Sequence, residues 1–224
     1  MKNRSFTLLA LLAANDRLGQ DAIHRTTLVK QAFLAETIRP LYNIWLQTFS
    51  FVRYNYGPYS DDVFDRLNTL IFNGLVEVTT TKQRAGQIEA RYKITKAGHD
   101  ILNQINAPDI IGLATDLVWA LQALGIEKAT TICKLVYEEA EFDRIFTQHN
   151  QKGIGPETKV SLPAITAANN ETFITLSALQ ELQYKPGMDR SQSQLLPSRE
   201  LVRLFLQSLA IQVPHTHAQR GVVA

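Results

Sequence analysis

Two short segments, LVEVTTT and IEARYKITK, are separated only by KQRAGQ, and each alternates residue by residue. Val76, Val78 and Thr80 alternate with Glu77, Thr79 and Thr81; Ala90, Tyr92 and Ile94 alternate with Arg91 and Lys93. A period of two sends successive side chains to opposite faces, so the pattern predicts a half-buried hairpin. The residues on either side constrain it further. Upstream, Ser60 precedes Asp61 and Asp62, and an apolar stripe of Val63, Phe64, Leu67, Leu70, Ile71 and Leu75 follows. A serine hydroxyl accepts a free N-terminal amide, and acids in a first turn favour the positive end of the helix dipole. Gly74 stands where a helix closes with a left-handed residue. Downstream, Thr95 is placed to cap a helix through KAGHDILNQIN.

Earlier in the chain, Phe6 to Asn15 is apolar almost all round and should form a buried helix. Lys2 and Arg4 ahead of it imitate a secretory leader, but the run is short and no small-residue cleavage pattern follows, so the reading is a first helix. Gly19 marks the next turn. Thr26 or Thr27 would cap a second helix, with Leu28, Val29, Ala32, Phe33 and Glu36 on one side, and Pro40 prevents its simple continuation. Phe49 to Tyr56 reads as a strand, closed by a Gly57-Pro58 corner. The order is helix, helix, strand, helix, hairpin, helix. The predicted fold is mainly α with a small β-hairpin wing: a winged helix-turn-helix domain over residues 1–106, followed by an α-helical C-terminal region over 107–224. Helices are expected in DIIGLATDLVWALQALGI, EKATTICKLVYEEAEFDRIF, NNETFITLSALQELQ and SRELVRLFLQSLAIQ, with a loose tail from Val213.

The segments HRTTLVKQAFLAE, YNYGPYSDDVFDRLNTLIFNGLVE and YKITKAGHDIL resemble the winged-helix region of the uncharacterised bacterial YwgA-like proteins. They are more distantly similar to the SocA-like antitoxin domain called Panacea. The likeness covers roughly residues 5–105 and is most specific at YGPYS. It implies that TTLVKQAFL is helix two and that the YGPYS corner introduces helix three. It implies a winged-helix fold and little about activity.

The net charge of 224 residues is only +2, so a nucleic-acid surface, if present, must be local. In a winged helix the helix before the wing enters the major groove, and here its outward side carries Asp61, Asp62, Asp65, Arg66, Asn68, Thr69 and Asn73. Three acids oppose phosphate binding. The wing favours it: Lys82, Arg84, Arg91, Lys93 and Lys96 stand against the single acid Glu89, and helix two adds His24, Arg25 and Lys30. The candidate DNA contacts are therefore Arg25, Lys30, Arg66, Asn68, Lys82, Arg84, Arg91 and Lys93. Tyr54 and Tyr56 share a strand face and read as packing before base stacking.

Enzyme readings find no footing. Cys133 lies mid-helix without a histidine at a telling spacing, and as the lone cysteine it excludes an intrachain disulfide and points to a reducing, cytoplasmic setting. His215 and His217 lack a third metal ligand, the acids from Glu138 to Asp143 read as a solvated helix face, and KGIGPETK does not match a phosphate loop. No catalytic residue, metal or cofactor is expected, and no stretch reaches the length of a membrane span. The first functional reading is a DNA-binding transcriptional regulator on double-stranded DNA, a homodimer through its C-terminal helices; the apolar helices at 109–126 and 198–212 would serve either as a dimer interface or as a partner groove. The alternative is a non-catalytic adaptor, an antitoxin-like protein-interaction module of a defence or toxin–antitoxin system. A continuous basic face joining helix two to the wing would favour the first, and an acidic helix three the second.

Overall fold

A computed structural model describes residues 2–42, 44, 49–53, 58–82, 88–138, 160–161 and 197–219. The chain is mainly helical, with a small three-stranded antiparallel sheet. Its helices are α1 (Lys2–Arg17), α2 (Arg25–Ile38), α3 (Asp61–Phe72), α4 (Lys96–Gln104), α5 (Pro108–Ala123), α6 (Ala129–Glu138) and α7 (Ser198–Gln219). Its strands are β1 (Ile23–His24), β2 (Val52–Arg53), β3 (Val76–Lys82), β4 (Ile88–Ile94) and β5 (Val160–Ser161).

The expected hairpin forms in the register that the alternation requires, Val76 opposite Ile94 through Lys82 opposite Ile88. Its inner face buries Val76, Tyr92 and Ile94. A third strand, which the sequence did not suggest, joins it: β1 pairs with β4, Ile23 opposite Tyr92 and His24 opposite Arg91, so the sheet order is β1-β4-β3. That pairing holds residues 23 and 24 extended. Helix α2 therefore starts at Arg25 with His24 at its N-cap, and Thr26 and Thr27 lie inside the first turn instead of capping it. The other expected ends are found. Ser60 Oγ accepts from the Val63 amide at 3.4 Å, and Thr95 Oγ1 accepts from Gly98 at 3.1 Å while donating to the Gly74 carbonyl at 2.7 Å. Gly74, at φ 69°, closes α3 with the amides of Gly74 and Leu75 donating to the carbonyls of Ile71 and Leu70. Of the strand expected over 49–56, Val52–Arg53 is strand and pairs with β5; Tyr54, Tyr56 and Gly57 lie outside the described residues.

Helix α1 is the centre. Thr7 through Asn15 are all buried, and α1 touches α2, α3, α4, α5 and β4. The α1–α2 crossing is pinned by a buried amide pair: Asn15 Nδ2 donates to Gln31 Oε1 at 2.8 Å, and Gln31 Nε2 donates to Asn15 Oδ1 at 3.2 Å. One core runs from Leu8 to Leu209, across the expected boundary at residue 106. Helices α5 and α7 spend their apolar faces inside it: Leu113, Leu117, Val118 and Leu121 of α5, and Leu201, Val202, Phe205, Leu206 and Leu209 of α7, are buried. These are the faces expected to build a dimer interface or a partner groove. Asp116 ties this layer, accepting from Tyr42 Oη at 2.8 Å and from Arg199 Nε at 2.9 Å. Helix α7 continues to Gln219, past the Val213 where a loose tail was expected. The helix patterned over NNETFITLSALQELQ, most of the acidic run after Glu138, and KGIGPETK lie outside the described residues.

Helix α2 departs furthest from its expectation. Thr27 through Ile38 are buried without a break, Lys30 and Glu36 included. Lys30 is 3% exposed, and its ammonium donates to the Pro58 carbonyl at 2.6 Å, so it fastens the corner that leads into α3. Burial lowers its pKa from 10.5 to about 8. The unfolded chain then holds a proton that the folded chain releases between about pH 8 and 10.5, so this group adds stability as pH rises through that window, by up to about 3 kcal/mol. Urea unfolding at about pH 7.5 and about pH 10 should show wild type gaining on Lys30→Met by an increment of that order. Tyr42, pushed up by burial, acts in the opposite sense in both proteins and cancels in the difference; Cys133 lies in the field of Lys30 and does not cancel, so the comparison is made with Cys133→Ala in both proteins.

Candidate functional site

Helix α3 presents two unlike faces. Val63, Leu67 and Leu70 are buried against the core, and Phe64 and Ile71 flank them. On the opposite side Asp61, Asp65, Asn68, Thr69 and Phe72 are all exposed. Their spacing of four, three, one and three places them along one stripe of the helix surface. The stripe is acidic at its N-terminal end and apolar at its C-terminal end, where Phe72 is 92% exposed. Phe72 lies out of phase with Leu67 and Leu70, and that offset was the signal available in the sequence. The outward-facing set expected from the sequence does not include it.

The three acids of α3 are not equivalent. Asp62 is half-buried, pairs with Arg4 at 3.2 Å and accepts from the Ser50 amide at 3.3 Å, so it belongs to the fold. Asp61 accepts from Tyr59 Oη at 2.7 Å while remaining on the exposed side. Asp65 is exposed. Thr69 of the stripe and the adjoining Asn73 bond back to the helix: Thr69 Oγ1 donates to the Asp65 carbonyl at 2.8 Å, and Asn73 Nδ2 donates to the Thr69 carbonyl at 2.7 Å.

The eight candidate DNA contacts scatter. Lys30 is removed from the surface by burial, so it is not a phosphate contact, and its ammonium holds the Pro58 corner instead. Arg25 is exposed, with its guanidinium 4.6 Å from the centre of the Phe64 ring. Arg66 is half-buried and Asn68 is exposed, both on α3. Lys82 stands at the end of β3 opposite Ile88, and Arg84 lies outside the described residues. Arg91 and Lys93 sit on the outer face of β4, two residues apart, and Lys93 pairs with Asp21 at 3.4 Å. The register of β1 with β4 does bring His24 beside Arg91, so the start of α2 and the hairpin adjoin.

No family model matches this chain. A search of curated proteins likewise returns no match. The site must therefore be read from its own chemistry. Among the described residues no group of three or more His, Cys, Asp or Glu side chains is arranged to hold a metal ion. Among them, too, no helix is long and apolar enough to cross a membrane. Cys133 is half-buried in α6, and burial pushes its thiol pKa up, away from the reactive thiolate.

Proposed function

We propose that the N-terminal elements form a winged helix that serves as a protein-binding module, a non-catalytic adaptor with α3 as its docking helix. The observation that carries this reading is Phe72, 92% exposed at the end of the outward stripe of α3. A phenyl group gains about 1.5–3 kcal/mol when fully buried, and a ring at the end of a helix face is the kind of anchor that a helix lays into a groove. Asp61 and Asp65 set the complementary chemistry: an apolar pocket with basic residues on its rim. The same two acids disfavour a duplex at this face, because they would meet phosphates. The resemblance to an antitoxin-like domain leads to the same expectation of a protein partner.

The test is a photo-crosslinking amino acid placed at Phe72 in the native host, with the exposed position Asp100 on α4 as control. A discrete protein adduct is expected from position 72, weakened when Asp61 and Asp65 are both replaced by Lys. Adducts to nucleic acid, or the same products from both positions, would overturn the reading.

A second reading, a transcriptional regulator gripping duplex DNA by its backbone, draws on the register of β1 with β4. His24, Arg91 and Lys93 share the outer face of the sheet, next to Arg25. Contacts of that kind hold phosphates without reading sequence. Labelled duplex titrated at rising salt should then lose affinity steeply, and lose it further with Arg25→Ala plus Arg84→Ala. Absence of binding at low salt would exclude this reading.

A further inference from the structure

A cleft of about 640 Å³ lies where the turn after α1, the start of α2, strand β4 and the connection into α6 meet. Its volume falls within the range of about 300–1,000 Å³ typical of small-molecule sites. Its walls include His24, Thr26, Arg91, Glu127, Lys128 and Thr130. It is separate from the exposed stripe of α3, none of whose residues line it.

Charge of both signs meets in this cleft. Arg91 arrives from β4, Glu127 and Lys128 from the segment before α6, and Asp21, already paired with Lys93, from the turn after α1. Arg91 Nε and Glu127 Oε2 are each closed off from solvent without a hydrogen-bond partner. Buried donors and acceptors in folded proteins are nearly always satisfied, and one left unpaired raises the free energy of the resting state. A cation and an anion therefore line one cavity, each with an unpaired atom that is shielded from the open cleft and reaches a ligand only when the side chain turns. A molecule that draws either side chain into the cleft relieves that penalty, and one that carries both charges relieves it twice.

We infer that the cleft binds a small zwitterion of the free α-amino acid class. Its carboxylate would meet Arg91, Lys128 and the threonine hydroxyls, and its ammonium would meet Glu127. A simple anion such as phosphate meets repulsion from Glu127, and a simple polyamine meets repulsion from Arg91 and Lys128. No Phe, Tyr or Trp lines the cleft among the described residues, so it lacks the platform on which a nucleobase stacks.

The test is calorimetric titration of the full chain with each of the common amino acids, and with inorganic phosphate and putrescine as controls. At least one amino acid should bind, and its affinity should fall by about tenfold or more in Arg91→Gln and in Glu127→Gln, as for any lost bond to a charged group. Arg91 sits within the sheet. Glu127 lies in the connection between helices, so Glu127→Gln still reports if Arg91→Gln fails to fold. The inference is overturned if no amino acid binds, if Glu127→Gln keeps wild-type affinity, or if phosphate or putrescine binds as well as the best amino acid.

Discussion

Replacing Glu36 by Gln should destabilise the fold by about 3–5 kcal/mol, the usual cost of removing one partner from a buried ion pair. Glu36 was the one polar residue on an otherwise apolar side of α2, and its environment explains why it is there. Its Oε2 meets Arg39 Nη1 at 3.1 Å, with the two side chains only 7% and 3% exposed. Its Oε1 accepts from the Phe49 amide at 3.0 Å and so fixes the start of the segment that carries Phe49 and Phe51. Those rings stack edge to face, and Phe51 meets Phe33 of α2 at 5.3 Å. Glutamine keeps the shape and the bond to Phe49, but it takes the Glu36 charge away from the buried Arg39 guanidinium. Urea denaturation measures the loss. The double variant Glu36→Leu with Arg39→Met should recover part of it, because removing both charges avoids burying either alone. The Phe49 amide still loses its acceptor, so recovery should be incomplete. A Glu36→Gln protein within about 1 kcal/mol of wild type would show that the pair is not buried as described.

Gly98→Ala should cost about 3 kcal/mol, near the upper end of what over-packing usually costs. In an isolated helix the same change would stabilise, since alanine is the better helix former. Here an added Cβ would lie 2.3 Å from the Leu75 carbonyl oxygen and 2.6 Å from Ile94 Cγ1. The carbonyl cannot step aside freely, because it already accepts from the Thr95 amide at 3.1 Å. The substitution therefore pushes α4 away from the junction where α3 ends, β3 begins and β4 finishes. Urea denaturation again provides the check, and a neutral or stabilised Gly98→Ala would mean that α4 is not seated so closely.

The local ends of this fold could be read from its sequence, because they depend on single residues beside free backbone groups. Ser60, Thr95 and Gly74 each behave as their chemistry requires. The hairpin was legible for a similar reason, since a period of two leaves one register that buries Val76, Tyr92 and Ile94 together. Lys30 could not be placed that way. A helical period tells which side is apolar, but not whether α1, α5, α6 and the sheet will cover the remaining sides as well. Thr26 and Thr27 lost their capping role to a strand of two residues, too short to leave a pattern. Helices α5 and α7 show the converse ambiguity: an apolar face looks the same whether it meets a second chain or, as here, α1 for α5 and α5 with α6 for α7. Phe72 was readable as an off-phase apolar residue, yet its exposure is a tertiary fact.

The central claim is that Phe72, at the end of the outward stripe of α3, exists for a partner and contributes nothing to the fold. Its most direct test is the yield of the partner adduct from a crosslinker at Asn68, compared between wild type and Phe72→Ser. Asn68 and Phe72 are neighbours on the stripe, and only the second is proposed as the anchor. The account predicts that the adduct is lost while stability to urea stays unchanged to within about 0.5 kcal/mol. An adduct that survives in Phe72→Ser, or one that disappears only because the variant unfolds, would contradict it.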